Sequence, residues 1–282
     1  MNANEIIAHK ASSEDEFKAI IDKAFHYALI SLPFTVNRMR LKNLRSRILN
    51  IYKGKLAESL LENWALKNDF VLDFKSGESG FWTRDICDFK YKGIEWDLKN
   101  NFIHRSETLP KGEYLMLPAL VPNRHPEDQW QSAKNSSNKG FVFSFISQQN
   151  FPDTSRVKLS GAQMDFIQGI NPGEIDRDEM PFEEEWFFNE LSKRGPEPEI
   201  LHNMSPTLVI TGYALSSHFT QFLDTDGIEH FNYAMFGGKW YELDSKSRLS
   251  FRNGLLRTRI RNATCPIQAL PSFKSFLEAS EK

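Results

Sequence analysis

The chain has little cysteine: two in 282 residues, Cys87 and Cys265, far apart and without partner spacing. A disulfide framework and a cysteine-built zinc site are thereby excluded, and a reducing, cytoplasmic setting is expected. No apolar run approaches the roughly 18 residues that a membrane span needs. The opening Met1-Asn-Ala-Asn-Glu-Ile-Ile lacks a basic region followed by an apolar stretch, so no secretory leader is expected. Serine or cysteine nucleophile motifs, phosphate-cradling glycine loops, dinucleotide fingerprints and internal repeats are missing as well. His104 and His125 have no second histidine at ligand spacing. Positive charge is not in excess either: 35 basic against 37 acidic residues leave −2, which argues against a simple polyanion-coating protein.

What the chain does have is core material and uneven charge. Apolar residues make up 40% and include 23 Phe and six Trp, enough for one large domain. Between Glu174 and Glu199 ten acidic residues face three basic ones. Between Val36 and Ala57, by contrast, there is no acid, while Arg38, Arg40, Lys42, Arg45, Arg47, Lys53 and Lys55 are all present. Such a cluster suits a phosphate backbone, and it suits equally the solvated face of a helix.

Periodicity orders the elements. Ser12-Ser-Glu-Asp-Glu resembles a helix start, and Phe17, Ile20, Ile21, Ala24, Phe25, Ala28 and Leu29 repeat at helical spacing until Pro33. A basic helix over 37–50 and a second helix over 52–68 are expected next. Short strands are expected at 70–74 and 113–121, a hairpin over 85–100, a helix over 126–134 and a buried strand over 140–146. This order, helix and strand alternating, predicts an α/β fold with a central mixed β-sheet flanked by helices. The domain reading is a core over 1–170, an exposed acidic connection over 171–200, and a β-rich C-terminal part over 201–282. That last part holds a strand at 207–211 and hairpin signals at Gly237-Gly238 and Asn253-Gly254.

The hairpin carries the chemistry. With Lys92-Gly93 as a two-residue turn, Phe89 faces Trp96, Lys90 faces Glu95 and Asp88 faces Asp97. Asp97 and Lys99 then share one face with Asp88, while Phe89, Trp96 and Leu98 point into the core. Two opposed carboxylates repel, and a fold selected for stability alone avoids them. A hard divalent cation removes the penalty, since Mg²⁺ takes one or two carboxylates together with phosphate and water.

Asp88 followed by Asp97-Leu-Lys99 resembles the active-site hairpin of the PD-(D/E)XK nuclease superfamily, which includes many type II restriction endonucleases. Asp85 is a rival for the first position, although the register favours Asp88. The resemblance spans about residues 50–150 and implies a restriction-endonuclease-like core and Mg²⁺-dependent cleavage of double-stranded DNA by a homodimer. In that reading Asp88, Asp97 and Glu58, on the preceding helix, are the metal ligands, and Lys99 positions water or stabilises charge. Contacts to DNA are expected from Arg38, Arg40, Lys42 and Arg45, and from Asn100 and Asn101 just after Lys99. Arg257, Arg259 and Arg261, alternating on one strand face, complete the expected set.

Overall fold

A computed structural model describes residues 1–39, 43–83, 85–103, 108–123, 128–147, 150–151, 153, 156–170, 179–222, 233–236, 239–242, 249–251, 256–258 and 262–279. Side chains of 36–39 and of 233–258 lie outside that description. In chain order the strands and α-helices are β1 (Ile7–His9), α1 (Glu14–Ile30), α2 (Leu32–Met39), α3 (Leu44–Lys67), β2 (Phe89–Tyr91), β3 (Ile94–Ile103), α4 (Lys111–Tyr114), β4 (Pro118–Pro122), α5 (Gln129–Lys134) and β5 (Lys139–Ser147). They continue with β6 (Val157–Lys158), α6 (Gly161–Gly169), α7 (Glu184–Ser192), β7 (Glu199–Ile200), β8 (Leu208–Leu215), β9 (Tyr233–Phe236), β10 (Lys239–Glu242), β11 (Leu249–Phe251), β12 (Leu256–Thr258), β13 (Asn262–Pro266) and α8 (Phe273–Glu278).

Five strands form the main sheet in the order β1-β8-β5-β3-β2. β3 and β5 run parallel, and the other neighbours run antiparallel. The mixed α/β class therefore holds. Alternation along β5 explains why it is central: Phe141, Phe143 and Phe145 enter one buried cluster, while Val142 and Ile146 enter the other. The second cluster lies against α1 and α3, whose Ala24, Ala28, Ile48, Leu56, Leu60 and Leu61 belong to it. Where β3 and β5 cross, Gly140 meets the Trp96 ring. A Cβ at 140 would stand 2.6 Å from that ring and 2.9 Å from Leu215 Cδ2. Gly140→Ala is expected to overpack this junction and to lower stability by about 1–3 kcal/mol in urea unfolding.

Several expectations are corrected. The two helices drawn over 37–50 and 52–68 are one: α3 runs unbroken from Leu44, capped by the Asn43 side chain, while the basic stretch begins on α2. Pro33 does not merely end a helix, because it sits in the first turn of α2, where its missing N–H costs nothing. The strand expected at 70–74 is reduced to a single bridge from Asp73 to Lys90. The stretch 113–121 divides into α4 and β4, and β4 pairs with β13 outside the main sheet. β8, from the β-rich part expected over 201–282, lies between β1 and β5 in the main sheet. The acidic segment contributes α7, with Phe187 and Leu191 buried. The hairpins β9-β10 and β11-β12 flank the two glycine-bearing turns, whose own residues are outside the described set.

Candidate active site

The register of the β2-β3 hairpin agrees with the sequence reading: Phe89 opposes Trp96, Lys90 opposes Glu95 and Tyr91 opposes Ile94. The two turn residues both have positive φ, 52° at Lys92 and 72° at Gly93, as a type I′ turn requires. Lysine is poorly suited to that conformation. Lys92→Asn is expected to raise the melting temperature by about 2 °C, matching a gain near 0.5–1 kcal/mol, with the hairpin register unchanged.

Beyond Phe89 the ladder changes character. Asp88 N–H donates to the Trp96 carbonyl at 2.9 Å, and the Asp88 carboxylate accepts the Leu98 N–H at 2.5 Å. A side chain thus takes the amide that a further strand residue would have bonded, which fixes the carboxylate beside Asp97. Across from it, Lys99 Nζ stands 3.4 Å from Asp97 Oδ2 and 5.2 Å from the centre of the Phe141 ring. Burial and the Asp97 charge push the Asp88 carboxyl up to about 6, with Lys99, the Leu98 amide and Lys55 pulling it back.

Glu58 comes from α3 and joins this group. Burial and the Asp88 charge raise its carboxyl to about 8, against the pull of Lys55, which lies 2.8 Å away. Lys55 was grouped with the phosphate-facing cluster; in the structure its ammonium bridges Glu58 and Asp85, both at 2.8 Å, and lies 4.5 Å from the Tyr27 ring centre. The i,i+3 spacing of Lys55 and Glu58 on a helix was the readable signal for that pairing. Asp85, the rival to Asp88, also accepts the Ser79 N–H at 2.9 Å. It is held within the ion-pair cluster, whereas Asp88 is the one paired with β3.

Asp85, Asp88 and Asp97 line a cleft of about 470 Å³ together with Tyr27, Ser31 and Thr35 of the α1-α2 junction, whereas Glu58, Lys55 and Lys99 stand behind that lining. The other expected contacts are distributed differently. Arg45 donates to the Leu159 carbonyl at 3.2 Å, so its guanidinium is engaged within the protein. Asn100 lies on the face opposite Asp97 and Lys99, where it accepts from Ser144 Oγ at 3.1 Å. Asn101 keeps the Asp97–Lys99 alternation. Arg257 is on β12, opposite Ser250, and that strand approaches β3. The side chains of Arg38 and Arg257, and the whole of Arg40, Lys42, His104, His125, Arg259 and Arg261, lie outside the described residues.

No family model, curated protein or solved structure matches the chain. The site's chemistry therefore rests on its own atoms. Among the described residues no three His, Cys, Asp or Glu side chains converge as a ready-made metal-ligand set, and no helix is long and apolar enough to cross a membrane. The donor set still suits a hard dication. Four carboxylates, Glu58, Asp85, Asp88 and Asp97, meet two ammonium groups, Lys55 and Lys99, so full ionisation leaves −2. Without a cation, that excess and burial raise the Asp88 and Glu58 carboxyls, so both hold their protons to higher pH than free acids do. With one, Mg²⁺ needs only one or two carboxylates, because phosphate and water complete its shell.

Proposed function

We propose that the chain hydrolyses phosphodiester bonds of DNA with Mg²⁺, in the manner of the PD-(D/E)XK nucleases that its hairpin resembles. The observation that carries this reading is the pair Asp88 and Asp97, held together on two strands so that one raises the other's pKa, with Lys99 at 3.4 Å. Asp88 and Asp97 would hold the cation, with Glu58 as the outer carboxylate. When bound, Mg²⁺ supplies charge neutralisation at the phosphate and a more acidic attacking water. Lys99 donates to the phosphate oxygens as negative charge builds on them, and its burial beside Phe141 strengthens that interaction. Lys55 keeps Glu58 and Asp85 in place from behind.

The biological role that goes with the resemblance is a type II restriction endonuclease, a homodimer acting on double-stranded DNA, with a restriction-endonuclease-like core built on β2, β3 and β5. Arg257, Arg259 and Arg261, carried by and beyond a strand near β3, would be its base-reading groups. A second reading within the same chemistry, a structure-specific nuclease, is favoured by the acidic and apolar lining of the cleft. The test is incubation with supercoiled plasmid and with circular single-stranded DNA, with Mg²⁺ or with EDTA. Discrete bands from plasmid support restriction, and preferential loss of the single-stranded circle supports the second reading. No magnesium-dependent cleavage of either rejects the proposal.

A further inference from the structure

We infer that the cleft receives one unpaired nucleotide, so that the substrate is single-stranded or locally unpaired DNA and not an intact duplex. The inference rests on the nuclease reading and takes its second, structure-specific form in place of the restriction role on intact duplex.

Size is the first observation. About 470 Å³ is in the range of pockets that close over one small ligand, far below what a double helix occupies. Charge is the second. The described residues lining the cleft include three carboxylates, Asp85, Asp88 and Asp97, and one lysine, Lys139. A duplex brings two phosphate backbones and is held by rows of Lys and Arg, whereas among the described lining residues Lys139 is the one cation. A single phosphate at the Asp88–Asp97 pair, with a cation between, is electrostatically acceptable, and the rest of the nucleotide must then meet something uncharged.

The third observation is that the wall is built for this. Ile51, Phe81 and Ile86 line the cleft together, and Ile86 is 58% exposed only two residues before Asp88. Exposed Ile86 offers apolar contact to the edge of a base, and the Phe81 ring in the same wall offers an aromatic face on which a base can stack. Phe81 is held edge-on to Trp82, whose ring lies so close over Gly80 that a Cβ there would stand 2.3 Å from it. Phe34 and Phe182 brace Phe81 from the other side, at 5.7 and 5.4 Å between ring centres. On the facing wall Ser31 is 4% exposed, and its hydroxyl has no hydrogen-bond partner among the described residues. An unpartnered donor at the floor of a cleft is what a sugar or base-edge oxygen would satisfy.

Three end-labelled substrates of one sequence separate the outcomes: a single strand, a fully paired duplex, and a duplex with a central unpaired loop, each with Mg²⁺. The single strand and the looped duplex are expected to be cut at least about tenfold faster than the paired duplex, because contact with Ile86 and stacking on Phe81 are available only to an unpaired base. Ile86→Ser is expected to lower kcat/KM on the single strand about 5- to 20-fold with an unchanged melting temperature, since the side chain is exposed. Phe81→Ala is expected to give a similar loss, and Ile86→Ser guards against misreading a folding defect in that braced residue. Equal cleavage of all three substrates, or an Ile86→Ser enzyme as fast as wild type, overturns the inference while leaving the nuclease reading intact. Absence of cleavage on every substrate removes both.

Discussion

Asp97→Asn is expected to reduce magnesium-dependent cleavage by roughly 10³-fold or more, about 4 kcal/mol of transition-state stabilisation. The loss follows from the role proposed for it: Asp97 would share the cation with Asp88, and it stands 3.4 Å from the Lys99 ammonium. A neutral amide keeps the shape but removes one of the two charges that make the pair attractive to a dication. The same substitution is expected to leave the metal-free protein as stable as wild type or more so, because the Asp97 charge is what opposes ionisation of Asp88 after burial. Activity and stability thus move in opposite directions. An ordinary surface ion pair between Asp97 and Lys99 predicts otherwise: a small stability loss and no effect on cleavage. Parallel measurement of plasmid or oligonucleotide cleavage and thermal unfolding separates the two. Equal cleavage by both proteins would reject the assignment of Asp97.

The contrast between what could and could not be read from the sequence follows the range of the interactions. The hairpin was legible because its turn is two residues long: Lys92-Gly93 sets the register from Phe89–Trp96 to Tyr91–Ile94, while the expected Asp88–Asp97 pairing lies beyond the ladder, where Asp88 bonds Trp96 and Leu98. α1 and β5 were legible because their apolar spacing is unbroken over several turns or over the whole strand. α3 was divided in two because its basic first half and apolar second half looked like different objects. Tertiary packing makes it one, burying Ile48, Leu49 and Tyr52 as well as Leu60 and Leu61. The pairing of β4 with β13 and the insertion of β8 between β1 and β5 join segments far apart in the chain, and no local pattern encodes such partners. Lys55 shows the same limit within the site. Its neighbours in sequence are basic, whereas its neighbours in space are Glu58, Asp85 and Tyr27. Ser31 and Thr35, hydroxyls on the cleft wall, carry no pattern at all until the fold brings them opposite Asp88 and Asp97.

The carboxylate cluster also gives the metal-free protein an unusual pH dependence. Glu58 is raised from 4.5 to about 8 and Asp88 from 3.8 to about 6, in both cases mainly by burial. Asp88 therefore binds more protons folded than unfolded between about pH 4 and 6 and Glu58 between about 4.5 and 8, and the stability from those protons is lost as pH rises through each window. Glu16 acts in the opposite sense: Lys67 and Asn63 hold its carboxyl down near 2, so its contribution is present above 4.5 and is lost as pH falls toward 2. In the metal-free protein the two raised carboxyls thus work against the stability that Glu16 and other lowered groups supply as pH rises. Glu58→Gln, which removes the raised group while keeping its volume, is expected to lose that downward pull with pH, so that its stability relative to wild type rises from pH 5 to pH 8 in the metal-free protein. Saturating Mg²⁺ is expected to flatten the wild-type profile, since a dication beside Asp88 and Asp97 takes over the role of the protons, and binding it should release protons to the buffer. Thermal unfolding from pH 4 to 9, with and without Mg²⁺, measures all of this. Parallel pH profiles for wild type and Glu58→Gln without metal would mean that Glu58 is ionised as an ordinary surface acid, and the electrostatic case for a cation in this cluster would go with it.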